Sequence, residues 1–589
     1  MSRPRLPAWA EEMRSVFRSG TTSQFILHGA VFDLVPHSPV AGGVVSFLSL
    51  GQFLEQVMLA PYDVILTYDR STGVQTKKGL KEFLAFLKSF DQWNGTQYAT
   101  SPAAIPRQPA VALTVIDRFL DWAAQRPVIE NNQLVTKPLR VAVLVEYAQF
   151  LAPRGDSLQV SGSHAEALIR LLDWANDPAL VAGQALTILV AETLNDLHSA
   201  LANNPHASKI HLALPTAPEL HEFVTELCRQ EPTIAAKLEV PADVLAQRSI
   251  GLSRINLRNA LQLASKNDHT IDAAYLVRQR RELIEKECAG LLDFIESSYT
   301  LDSVAGLDEV KRWLREDATL IKTGRLRSVP MGYLFCGRIG TGKTFLTTCW
   351  SGEIGIPCVV MKNFRDKWQG STEGNLEKIF EILRALGQVM VFVDEADQAT
   401  GKRDGGSNDG GLGGRVYAML AKEMSDTRNR GKIIWVFATS RPDLVEVDLK
   451  RQGRLDVHVP LFPPQDHVER KALLQNLAKK VGVAGEELPD LPETLEVGGN
   501  EMEALLVRAS RVFDLQGGRA PEERRAFKDI LAEVFADARP MAHAAHLEYM
   551  DLVAVKECTD GRFLPPRYKA LTTDEIDARL EVLKHRLGW

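Results

Sequence analysis

With 589 residues, 45% of them hydrophobic, the chain is long enough for several folding units, each with its own core. A net charge of −6 and a pI near 6.2 argue against a global attraction to nucleic acid or to an anionic membrane. Six scattered cysteines without a C-x-x-C pair, no apolar leader within Met1–Gly20 and no bilayer-length apolar run argue against a disulfide framework, a zinc ribbon, a secretory signal and a membrane span. The expectation is a soluble protein of a reducing compartment, the cytoplasm.

Trp9, Met13, Val16 and Phe17 recur at helical spacing and predict a packing stripe. Short apolar runs follow at Phe25–Leu27, Val64–Leu66, Val141–Val145 and Leu186–Val190, with helical patterns such as Ala165–Trp174 between them. Strands alternating with helices predict a parallel sheet covered on both faces. A helical stretch runs from Ala217 to about Ala264, and a charged connector from Arg278 to Glu287. Strand-like runs return at Tyr333–Cys336, Cys358–Met361, Val389–Val393 and Ile433–Phe437. From Val468 the pattern is helical almost to Trp589, broken by a loop at Gly517–Pro521.

The two halves echo each other, and long internal repeats decide a fold reading early. Val143–Gln149 resembles Val391–Asp397, Ile188–Leu197 lines up with Trp435–Leu444, and Ile210–Pro215 with His458–Pro463. The expected architecture is α/β: two tandem modules, each a parallel sheet flanked by helices with a helical lid. The boundaries are 1–215 and 216–277 for the first module and its lid, 278–300 for a helical connector, and 301–464 and 465–589 for the second module and its lid.

Chemistry concentrates in the second half. Gly337, Arg338, Ile339, Gly340, Thr341, Gly342, Lys343 and Thr344 fit G-x-x-x-x-G-K-[ST], between a strand-like run and a helix opening at Phe345. Glycines let backbone amides converge on phosphate oxygens at the positive end of a helix. Lys343 would reach the β- and γ-phosphates of ATP, and the Thr344 hydroxyl would bind Mg²⁺; a purely structural turn has no need of that pair. Downstream, the apolar run Val389–Val393 ends in two carboxylates. Asp394 suits Mg²⁺ ligation through water, and Glu395 suits polarising the water that attacks the γ-phosphate.

From about Leu301 to Ala509 the chain resembles the ATPase module of the AAA family, within the AAA+ superfamily. Asp302–Lys311 is similar to its adenine-side segment, Ala438–Asp443 to its sensor-1 segment, Asp448–Asp456 to its arginine-finger segment and Gly498–Leu505 to the start of its lid helix. The resemblance implies that Arg451 and Arg454 reach the γ-phosphate held by a neighbouring subunit of a ring, a homo-hexamer, and that Ser440 stands at sensor 1. Two departures are plain: Ser440 replaces the usual Asn, and Gln452 the usual Pro. Ser is a shorter hydrogen-bonding group, which implies an active but slow ATPase.

Trp368, in Lys367-Trp368-Gln369-Gly370, either packs beneath its own loop or, as the resemblance implies, lines a central pore together with Gly370 and grips a polypeptide. Residues 401–414, rich in Gly and Asp, form either a second substrate loop or a solvated segment, and Arg415 after them resembles a subunit-contact arginine. His543 and His546 share a helical face without a third metal ligand and suit solvent-facing polar positions.

The first half keeps the frame and loses the groups: no Gly-Lys-Thr follows Phe25–Gly29, Tyr147 stands in the second-carboxylate position, and Asn203 and His206 align with the two arginines. It suits ring assembly or recruitment of a partner. The whole arrangement also resembles uncharacterised AAA proteins of cyanobacteria and algal chloroplasts. Two functions fit: an ATP-driven ring that remodels a protein substrate, or a nucleotide-dependent regulatory or scaffold switch that threads nothing. A nucleic-acid motor and a membrane role are argued against by charge and by the lack of a basic track.

Overall fold

The computed structural model describes residues 6–38, 45–130, 133–155, 162–182, 185–288, 292–295, 297, 299–361, 372–397, 412–483, 485–491, 498–516, 525–538 and 543–589. The chain divides into two compact units, residues 1–284 with 373–385, and residues 285–372 with 386–589.

In the first unit the strands are β1 (Gln24–Gly29), β2 (Val35–His37), β3 (Ser46–Leu48), β4 (Val64–Asp69), β5 (Gly73–Lys78), β6 (Pro127–Glu130), β7 (Gln133–Thr136), β8 (Val141–Val145), β9 (Leu186–Val190) and β10 (Ala207–Leu212). Six of them form one sheet in the order β10-β1-β9-β8-β4-β5, parallel except for β5; β2 with β3 and β6 with β7 are small antiparallel pairs. All five residues of β8 are buried. Alternate residues of these strands feed two separate cores: Ile26, Leu66, Val143 and Leu189 pack with the helices Leu80–Asn94 and Pro109–Ala124. Phe25, Ile65, Leu144 and Ile188 pack with the helix Ala8–Arg18. That is the double burial expected of parallel strands joined by helical crossovers. A helical subdomain follows, its core built from Leu220, Phe223, Leu257 and Leu261.

The second unit adds β11 (Leu292–Ile295), β12 (Gly332–Cys336), β13 (Cys358–Met361), β14 (Val389–Val393), β15 (Ile433–Thr439) and β16 (Val457–Pro460), in the order β11-β13-β14-β15-β12-β16. Only β11 runs antiparallel, at the edge. Reading β10, β1, β9, β8, β4 against β16, β12, β15, β14, β13 gives one topology twice, each with an antiparallel sixth strand at the same edge. The repeat is therefore real, but its pairing needs a correction. Phe25 faces Ile188 in the first sheet, and Tyr333, its counterpart, faces Val436 in the second. Ile188 thus corresponds to Val436, one residue beyond the expected Trp435, and Ile210 to Val459, one residue beyond the expected His458. Strands apolar on both faces carry no alternation to set register.

Beyond the second sheet, the helices His467–Val481, Gly499–Asp514 and Phe527–Ala536 share a core containing Leu474, Met502, Leu506 and Leu531. The helices Ala544–Glu557 and Thr573–Leu587 meet over Leu552, Ile576 and Leu580. Among the described residues, no helix is long and apolar enough to cross a membrane.

One buried charge near the floor of the second sheet sets a pH dependence. Asp317, on the helix Asp308–Lys322, accepts a 2.6 Å hydrogen bond from the Tyr333 hydroxyl, and burial pushes its carboxyl up to about 6 from 3.8. Between those values the native state keeps a proton that the unfolded chain has released. The contribution to stability is therefore greatest in acid and is lost as pH rises through about 6. Asp317→Asn keeps an acceptor for Tyr333 without the charge. It is expected to be more stable than wild type by roughly 2–3 kcal/mol at pH 8 and level with it at pH 4, as read by urea unfolding at the two pH values.

Candidate functional site

The site grows from the end of β12. Gly337 has φ of 143°, and a Cβ there would lie 2.1 Å from the Leu461 carbonyl oxygen, so only glycine can pass. Gly340 and Gly342 also take positive φ, and Gly342 caps the helix Lys343–Ile354. The loop thereby turns its amides toward one point at a helix N-terminus. Lys343 Nζ donates to the carbonyl oxygens of Gly337 and Arg338 at 2.8 and 3.0 Å and lies 3.3 Å from Ser440 Oγ at the end of β15. Burial pulls this ammonium down to about 8. Thr344 Oγ1 donates to Asp394 Oδ2 at 3.0 Å, so the two residues expected to serve Mg²⁺ already touch.

Glu395 follows with φ of 48°, a left-handed conformation that is strained for a residue bearing a Cβ, and its amide donates to Asp394 Oδ1 at 2.9 Å. Both carboxylates are exposed. A cavity of about 800 Å³ opens beside the loop, lined by Gly306, Leu307, Gly342, Phe345, Asn476 and Asn500 among others. The lid is tied to it directly, for the Gly499 amide donates to the Gly340 carbonyl oxygen at 2.9 Å. Convergent loop amides, a lysine, a Thr–Asp pair and an apolar cavity of this size fit a nucleoside triphosphate with Mg²⁺.

The two arginines lie apart from that cluster. Arg454 is ion-paired with Asp448 and donates to Ser425 Oγ at 2.7 Å, while the exposed Arg451 lies 3.2 Å from the same carboxylate. Among the described residues, neither makes a hydrogen bond or ion pair with Gly337–Thr344. Gly453 between them takes φ of 89°. Trp368 and Gly370 lie outside the described residues, as do residues 401–411 and the side chain of Arg415.

Sequence reasoning missed the helix Ala544–Glu557 as part of this site. Its Asp551 is 3.9 Å from Arg338 of the loop and accepts from the Tyr568 hydroxyl at 3.1 Å; the side chains of Arg338 and Asp551 are both buried or nearly so. Nearly two helical turns further, Glu557 is ion-paired with Lys450. Tyr549 donates to Asp443 at 3.2 Å, and Arg441, next to Ser440, lies under the Trp589 ring at 4.3 Å and pairs with Asp443 at 2.9 Å. The available signal was a single carboxylate within the apolar run Tyr549-Met550-Asp551-Leu552-Val553.

The first unit repeats the frame with other groups. Gly29 has φ of 97°, and its Cβ would lie 2.5 Å from the Leu212 carbonyl oxygen. Tyr147 takes φ of 55°, the strained position of Glu395. Where the phosphate loop would run, Asp33 is buried and held by the lid: Arg254 Nη1 donates to it at 3.2 Å and the Ile255 amide at 3.1 Å. Burial raises the Asp33 carboxyl, and Arg254 opposes the shift.

A glycine-loop nucleotide site on a 5-1-4-3-2 parallel sheet with a helical lid defines a AAA+ module, and the chain carries that frame twice. Family matching agrees along its length: residues 2–213 match the N-terminal Rossmann-like domain of AAA+ chaperones, 221–289 their second helical domain, and 333–462 the ATPase family associated with various cellular activities (AAA). The chain belongs to the AAA+ ATPases. Among its relatives are the ATP-dependent zinc metalloprotease FtsH 1 of Symbiobacterium thermophilum, 34% identical over 33% of this chain and 34% of the relative. Protein SAV of Sulfolobus acidocaldarius is 32% identical over 36% and 28%, and protein mac-1 of Caenorhabditis elegans 30% identical over 36% and 26%. The chain thus spans about a third or less of the length of the curated relatives it matches.

Proposed function

We propose that the chain hydrolyses ATP in a Mg²⁺-dependent reaction at the second-unit site and, as an oligomeric ring, uses the cycle to remodel a protein substrate. The observation that carries the reading is the convergence of Lys343, Thr344, Asp394 and Ser440 on one loop. The amides of Gly337–Thr344 and the Lys343 ammonium bind and orient phosphates. Mg²⁺, when bound, supplies charge that neutralises phosphate oxygens, and Thr344 with Asp394 holds it. Glu395 orients the attacking water, and Ser440 holds that water from the end of β15. Arg451 and Arg454, gathered on Asp448, reach the site of a neighbouring subunit in a hexamer. We propose residues 301–464 as the ATPase core and 465–589 as its lid, with 1–215 and 216–277 as the first module and 278–300 as the connector; no nucleic acid or membrane takes part, and the protein is cytoplasmic.

A second reading, a nucleotide-dependent regulatory or scaffold switch without threading, is supported by the first unit, where the Asp33–Arg254 pair stands in the place of a phosphate loop.

Glu395→Gln is expected to keep ATP binding and to lower hydrolysis by roughly 100-fold or more, measured by equilibrium binding beside phosphate release; equal hydrolysis would refute its role. Arg454→Ala should be inactive alone and regain activity when mixed with Lys343→Ala subunits, since each then supplies what the other lacks. Absence of rescue at every mixing ratio argues against action in trans. Steady-state ATPase with and without unfolded polypeptide separates the two functions. Stimulation in wild type but not in Trp368→Ala supports remodelling by threading, and indifference in both supports the switch.

A further inference from the structure

Two histidines and a glutamate meet in the first unit. His28 is on β1 and His211 on β10, directly opposite each other in the parallel register, with ring centroids 5.1 Å apart. Glu381 comes from the helix Thr372–Leu386, whose residues 373–385 cluster with the first unit. Its Oε1 is 2.7 Å from His211 Nε2. One ligand atom from each of the three residues lies within 4.8 Å of the others.

The place is built rather than accidental. Gly29 lacks the Cβ that would come within 3.0 Å of His211 Nε2, so the imidazole lies over the strand end. The helix is held in position by Asn195, which donates to Glu377 Oε2 at 2.9 Å, and by Lys378, paired with Glu192 at 3.0 Å. Residues 377, 378 and 381 share a helical face, so these contacts aim Glu381 at the histidines. His28 is only 8% exposed, and its Nδ1 is buried without a hydrogen-bond partner among the described residues. An unpartnered buried ring nitrogen is costly and calls for a ligand.

We propose that His28, His211 and Glu381 bind one divalent ion of the zinc class, with water completing a tetrahedral set. Two imidazoles and one carboxylate select zinc, cobalt(II) or nickel(II) over magnesium and calcium, which take all-oxygen sets. Binding replaces the His211–Glu381 hydrogen bond, and the single His211 N–H sits on the ring nitrogen that does not face the ion. The ion then fixes the helix Thr372–Leu386 to the ends of β1 and β10.

The test uses the full chain, stripped with EDTA and titrated with Co²⁺ and with Zn²⁺ near pH 7.5. Wild type is expected to bind one Co²⁺ with a visible d–d band of tetrahedral intensity and to exchange it for one Zn²⁺. His211→Ala, at a half-exposed position that spares the core, should lose the band and one equivalent of metal. Glu381→Gln, nearly isosteric, should bind about 10–100-fold more weakly. His543→Ala/His546→Ala should leave band and stoichiometry unchanged. Absence of the band in wild type, its persistence in both His211→Ala and Glu381→Gln, or its loss only in the His543/His546 variant would overturn the proposal.

Discussion

A glycine pressed against a carbonyl oxygen governs the geometry of both units. At the end of the first parallel strand, Gly337 passes Leu461 so closely that any Cβ would collide with its backbone, and Gly29 passes Leu212 in the same way. The contact forces the chain to leave the sheet at one point and one angle. In the second unit that exit leads into a loop of glycines and a helix N-terminus, which together concentrate donors where phosphate can sit. In the first unit the same exit leads to Asp33, a carboxylate in the position of a ligand, already engaged by Arg254 of the lid.

The frame has thus outlived the chemistry in the first unit. The strained residue after the third parallel strand persists as Tyr147, although only Glu395 offers a carboxylate there. Backbone strain of this kind is sustained by the surrounding packing and not by the side chain that uses it. In the first unit the Asp33–Arg254 pair ties the lid at the place where a phosphate loop would run.

In the second unit, the loop and the segment around Ser440 do not stand alone. The helix Ala544–Glu557 holds the loop through Asp551 and Arg338, the segment after β15 through Tyr549 and Asp443, and Lys450 through Glu557. Three charged or polar contacts along one buried helix make the positions of these loops interdependent. Nearly buried pairs of this kind lose most when one member is removed, since the other charge is left without compensation.

The sequence by itself determined the phosphate loop, the paired carboxylates, the strand-helix alternation and the duplication, because each is local: a spacing, a period or an order of short runs. Tertiary structure alone decided the rest. The one-residue slip between Ile188 and Trp435 was invisible because strands buried on both faces have no polar side to mark register. Asp33 with Arg254, separated by 221 positions, and His211 with Glu381, separated by 170, come together only when sheet and helices close. No periodicity connects residues so distant. Their partners are chosen by burial, which removes water as the competing partner and leaves each charge or ring nitrogen to be satisfied by whatever the fold brings within reach.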